Sequence, residues 1–206
     1  ATRTQRRLDL LHYTNAWVTV TVTALAAYVV DRIASWPARE ALLLVAGSTL
    51  VVYGTDHAVD ARRYGRSDLA AASMLSVLFG AVALGWGMWS APVATRWWVA
   101  LGGAVCTLYG VRIPGFGRPK QVPGVKSWFV GVAVATAVVV VPVTASGSPL
   151  HRDAGAWMLW LCAVTTLNAH AFDLWHREDD VRAGFRTLPV LLGAFGSRAA
   201  VTFGGA

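Results

Sequence analysis

Long apolar runs alternate with short polar ones along the whole chain. The runs lie near residues 13–30, 38–55, 69–90, 94–111, 125–146, 154–172 and 189–206. Each approaches the ~20 residues that a helix needs to cross a bilayer. Between them stand "DRIASWPARE", "HAVDARRYGRSD", "SAPVATR", "RIPGFGRPKQVPGVK", "SGSPLHRDAG" and "HREDDVRAGFRT". The runs are continuous and do not alternate as half-buried strands do. In lipid each must also satisfy its own backbone polar groups. The pattern predicts an all-α, polytopic transmembrane helix bundle of about seven spans, forming one domain over residues 1–206.

Composition sharpens the picture. Of the 206 residues 55% are hydrophobic and 14% charged, against about 25% charged in a soluble domain. The net charge of +7 would suit nucleic acid only if the bases formed a patch. They lie instead between apolar runs, so membrane lipids are the expected surroundings and nucleic acid is not an expected partner. Arg3, Arg6, Arg7, Arg62, Arg63, Arg66, Arg112, Arg118, Lys120, Lys126, Arg177, Arg182 and Arg186 fall on one side of the spans. Arg32, Arg39, Arg96 and Arg152 fall on the other. The positive-inside rule puts the first group, and the amino terminus, in the cytoplasm. Arg198 falls inside the seventh run and is read as a packing or snorkelling residue. Trp36, Trp89, Trp97, Trp98, Trp128 and Trp157 sit near run ends, as an interfacial belt would. Cys106 and Cys162 lie within apolar runs and read as small core residues, not a disulfide framework.

Two acidic clusters stand apart from this wet-loop background. In "YGTDHAVDARR", Asp56 and Asp60 are four residues apart, on one face if the second helix continues. In "DLWHREDDVRAGFRTLP", Asp173, His176 and Asp180 are spaced i, i+3, i+7, again one face of a continuing helix. Neighbouring carboxylates repel unless a cation lies between them. Both clusters follow even-numbered runs, so both are expected on the cytoplasmic side. Hard oxygen donors that share an ion with phosphate suit Mg2+. Arg62, Arg63, Lys120, Lys126 and Arg186 are near enough in sequence to take phosphate charge.

At these residues the chain resembles the UbiA-type intramembrane prenyltransferases. The resemblance rests on "DHAVDARR" after the second run, on "LYGVRIPGFGRPKQVPGVKSWFVG" after the fourth, and on "DLWHREDDVRAGFRTLPVLLG" after the sixth. It implies a bundle of about nine helices around a cavity, embedded in a bacterial inner (plasma) membrane. It also implies Mg-dependent transfer of a prenyl group from an isoprenoid diphosphate to a lipophilic acceptor. By motif position it makes Asp56, Asp60, Asp173 and Asp180 the catalytic carboxylates, with His176 joining them as a metal position. Lys126, Arg62 and Arg186 become diphosphate contacts, while Tyr109 and Asn15 line the substrate cavity. The chain departs from the family pattern at Val52 and Tyr53, where an Asn-Asp pair is usual, and at His176, where an aspartate is usual. Two further helices are expected, either beyond Ala206 or absent from a shortened relative.

A catalytically silent relative is the alternative. It would serve as a structural or lipid- and pigment-binding subunit of a membrane complex. A retinal-binding bundle would need a lysine in its last span, and there is none. A metal-transport reading would recruit His170, Asp173 and His176, but His170 is read as a hydrogen-bonded helix residue.

Overall fold

The computed structural model describes residues 14–33, 39–63, 65–110, 114–115, 119, 122, 124–150, 152–175, 177–182 and 187–204. Its helices are α1 (Ala16–Ile33), α2 (Arg39–Arg63), α3 (Ser67–Ser90), α4 (Val93–Gly110), α5 (Val125–Ala145), α6 (Arg152–Trp175), the short α7 (Arg177–Arg182) and α8 (Leu188–Gly204). No strand occurs among the described residues. Each apolar run is therefore a helix. The segments Ala16–Ile33, Arg39–Val59, Ser67–Ser90 and Val125–Ala145 are long and apolar enough to cross a membrane. The other three runs fall short of that measure for visible reasons. α4 opens with Arg96, Trp97 and Trp98, α6 carries Arg152, Asp153, His170 and Asp173, and α8 has 17 residues with a non-helical Gly193 inside. Large apolar side chains face outward, with Phe79 68%, Trp86 69% and Trp89 85% exposed. Such a surface belongs in hydrocarbon rather than in water. Trp97, Trp98 and Trp128 are exposed too, as a belt requires.

The chain divides into two compact units. The first holds residues 1–103 and 137–151. Here α2 packs along α3 with almost no space between the backbones. A Cβ on Gly47 would lie 2.6 Å from the Leu84 nitrogen, and one on Gly80 would lie 2.9 Å from the Gly47 carbonyl oxygen. Small residues let helices approach closely where lipid gives no hydrophobic drive to associate. The α2–α3 turn is fixed by a Schellman motif. Gly65 takes φ 69, its N–H donates to the Arg62 carbonyl at 3.1 Å, and the Arg66 N–H donates to that of Ala61 at 2.8 Å. Ala61 and Leu69 then bury each other across the turn, together with Ala70. α2 thus stays helical through its acidic stretch. α1 and the Val141–Ala145 end of α5 pack on the same helix.

The second unit holds residues 104–136 and 152–206. Here the Val125–Ala135 part of α5 packs on α6, and α8 packs on α6 as well. α5 passes through a π-helical turn at Thr136–Val140 just before Pro142. Proline has no N–H for the carbonyl four residues back and its ring crowds that carbonyl, so the register shifts there.

Substituting Gly80 by Leu should wedge α2 from α3. We expect a loss of about 2 kcal/mol, measured by thermal unfolding in detergent. Substituting Gly85 by Ala, where a Cβ meets nothing within 4 Å, should keep or raise the midpoint.

Candidate functional site

The first acidic stretch lies wholly on α2, as the spacing predicts. Asp56 and Asp60 are one turn apart on an unbroken helix, and Asp56 is exposed. The Asp60 side chain lies outside the described set. Arg62 is exposed on the same helix, and Tyr53 meets His57 edge-on at 6.5 Å. Asn15 is buried at the entry to α1 with φ 55, a left-handed backbone that asparagine tolerates. Its carbonyl accepts from the Thr19 N–H at 3.0 Å.

The second stretch differs from its expected form. α6 ends at Trp175, and Asp180 stands on the separate helix α7. Asp173 and Asp180 are therefore not two points on one continuous helical face. The Asp180 side chain, His176 and Arg186 lie outside the described residues. Arg177, which the spacing did not single out, donates from Nε to the Pro189 carbonyl at 3.1 Å and pins α7 to the start of α8. Thr187 and Pro189 open α8, with the Val190 and Leu191 N–H groups donating to the Thr187 carbonyl.

Asp173 is the best-defined member of the site. Its side chain is 7% exposed. The Lys126 ammonium donates to Oδ1 at 2.6 Å, and the Ser127 hydroxyl donates to Oδ2 at 3.3 Å. Lys126 is the second residue of α5 and Asp173 lies in the last turn of α6. A cation near a helix N-terminus and an anion near a C-terminus are each at the unfavourable end of the macrodipole. Antiparallel packing of α5 on α6 lets each neutralise the other. Lys126 retains further N–H donors and is 41% exposed, so it can reach a ligand while holding Asp173. Tyr109, at the end of α4, stacks flat on Phe129 at 4.0 Å and 2°. Ser127 and Phe129 are partners that the sequence reading missed. Both lie within three residues of Lys126, and nothing in their type marks them.

One expectation changes. His170 does not have the hydrogen bonds of an ordinary helix residue, since neither ring nitrogen has a partner among the described residues. No group of three His, Cys, Asp or Glu side chains converges among the described residues, a set that leaves out the side chains of Asp60, His176 and Asp180. A cavity of about 420 Å³ lies at the far end of α6, lined by Asp153, Ala156, Trp157 and Trp160. Twenty residues of helix, about 30 Å, separate Asp153 from Asp173.

A model of the UbiA prenyltransferase family matches residues 55–206. The chain belongs to this family. The match opens immediately before Asp56 and takes in Lys126 and the whole second acidic stretch. Val52 and Tyr53, the departures in the first motif, lie outside it. Neither curated proteins nor solved structures gave a match. The UbiA family is one of membrane prenyltransferases, so the apolar helices are those of an integral membrane protein.

Lys126→Met should leave Asp173 as an unpaired buried carboxylate. The expected cost is about 2 kcal/mol, less than for a fully buried pair because the lysine is partly exposed. Asp173→Asn in the same chain should recover most of it, as read from thermal midpoints of the two single variants and the double variant.

Proposed function

We propose that the protein transfers a prenyl group from an isoprenoid diphosphate to a lipophilic acceptor in the membrane. The observation that carries this reading is the Asp173–Lys126–Ser127 knot, a buried carboxylate and a part-exposed ammonium at adjoining helix ends inside the family-matched segment. Lys126 offers its spare N–H donors to the diphosphate, with Arg62 and Arg186 as further cationic contacts. Tyr109, backed by Phe129, gives the prenyl chain an aromatic wall, and Asn15 offers a polar contact. The acidic motifs face the cytoplasm of a bacterial inner membrane, as the distribution of bases suggests.

The donor set fits Mg2+. Asp56 and Asp60, one helical turn apart on α2 of the first unit, are hard oxygen donors by residue type, and so is Asp180 of the second unit. Asp173 keeps lone pairs beyond those that Lys126 and Ser127 use. When bound, the ion would supply neutralisation of charge on the departing diphosphate. The apolar helices would keep water from the allylic cation while the acceptor approaches.

One observation favours the catalytically silent alternative, a subunit of a membrane complex. Asp173 is already neutralised by Lys126, and its share in holding a cation is reduced accordingly. Binding decides between the two. Purified protein in detergent should bind geranylgeranyl diphosphate with magnesium and about tenfold or more weakly without it. Asp56→Ala and Asp60→Ala should each abolish the magnesium effect while the protein remains folded. Equal binding with and without magnesium in the parent protein would remove the metal assignment. No binding at all would favour the silent subunit.

A further inference from the structure

His170 is 5% exposed, and neither of its ring nitrogens has a hydrogen-bond partner among the described residues. It stands on α6 four residues after Thr166 and three before Asp173, so the three share one face. That face meets α5 at two points. At one, Asp173 holds Lys126 and Ser127. At the other, Gly131 lies so close to Thr166 that a Cβ there would overlap the threonine hydroxyl, and the neighbouring Thr165 hydroxyl reaches the Gly131 carbonyl at 3.3 Å. By its spacing on α6, His170 falls between these contacts. Lys126, Ser127, Thr165 and Asp173 on the seam are all bonded. The His170 nitrogens and the Thr166 hydroxyl are the exceptions among its described polar groups.

Burying an imidazole without partners destabilises the resting protein, and an apolar side chain of similar size would avoid that cost. A group kept at such a cost fits one that finds its partner in a ligand. Its depth suggests which. Lys126 and Asp173 mark the level proposed for the diphosphate. Three residues of helix put His170 about 4.5 Å further along α6, away from the helix end and into the apolar segment. The phosphate that carries the prenyl chain would lie on that side of the diphosphate.

We infer that His170 is a donor-binding residue whose ring N–H donates to an oxygen of the phosphate esterified to the prenyl chain. This rests on the prenyl-transfer reading. The contact moves no atom between protein and ligand. It adds a residue from outside both acidic motifs, and it makes the site sense the inner phosphate separately from the outer one held by Lys126.

The test uses the full chain in detergent, with magnesium and geranylgeranyl diphosphate as the probe. His170→Leu should lower affinity about tenfold or more, while its ligand-free thermal midpoint equals or exceeds that of the parent. His170→Gln, which keeps an N–H donor, should recover affinity to within about threefold of the parent. Three results would overturn the inference. The first is His170→Leu binding within about twofold of the parent. The second is His170→Gln binding as weakly as the leucine variant, which would mean the ring acts by shape. The third is a leucine variant that fails to fold, which would show that the resting protein already satisfies the imidazole. A parent protein that binds no probe would instead refute prenyl transfer itself, and this contact with it.

Discussion

The second unit is organised around one ion pair, Lys126 with Asp173. Its two members sit at helix ends where the backbone dipole opposes their charges. Alone, each would weaken its helix. Together they tie the start of α5 to the end of α6. Ser127 adds a second bond to the same carboxylate, so the aspartate is held in orientation as well as position. Gly131 then lets the two backbones close one turn further in. Uncharged residues at positions 126 and 173 would pack this seam at less cost. Keeping charge there suits a site that handles charged ligands.

The first unit solves a related problem with a backbone turn. Its acidic stretch has to remain helical at the very end of α2, where helices fray. The Schellman turn at Gly65 satisfies the last carbonyls, and Ala61 is buried against Leu69 beyond the turn. Asp56 and Asp60 therefore keep their one-turn spacing at a helix end. Farther back, the Gly47 and Gly80 contact makes α2 and α3 a tight hairpin that carries this end. In both units glycines bring backbones together, and the acidic residues lie beyond those contacts towards the helix ends.

Much of this was legible in the sequence, for physical reasons. A helix in lipid must satisfy its own backbone, so seven long apolar runs meant seven helices. The Asp56 and Asp60 spacing read correctly because nothing between Asp56 and Arg63 breaks a helix. The Asp173 to Asp180 spacing did not, because "DLWHREDD" has no glycine or proline to announce that α6 stops at Trp175. Membrane crossing was legible for four helices, while polar content in α4 and α6 and the Gly193 break in α8 blurred the rest. Lys126 stood out in the sequence as a base opening a helix near the acidic motifs. Its pairing with Asp173, 47 residues away, is a tertiary fact that no local pattern carries.

His170 shows the same limit from the other side. A histidine on a helix three residues before an aspartate has an obvious local reading, a ring bonded to its neighbours. In the structure the ring is buried and has no partner among the described residues. The neighbouring Lys126–Asp173 pair shows what satisfied polar groups look like on the same seam. One seam thus contains both conditions: charged groups that stabilise each other at the helix ends, and a polar ring with no partner among the described residues one turn inside. The first condition explains how the unit holds together. The second is the kind of local cost that a binding site retains, since a side chain already bonded within the protein would have to give up that bond before it could meet a ligand.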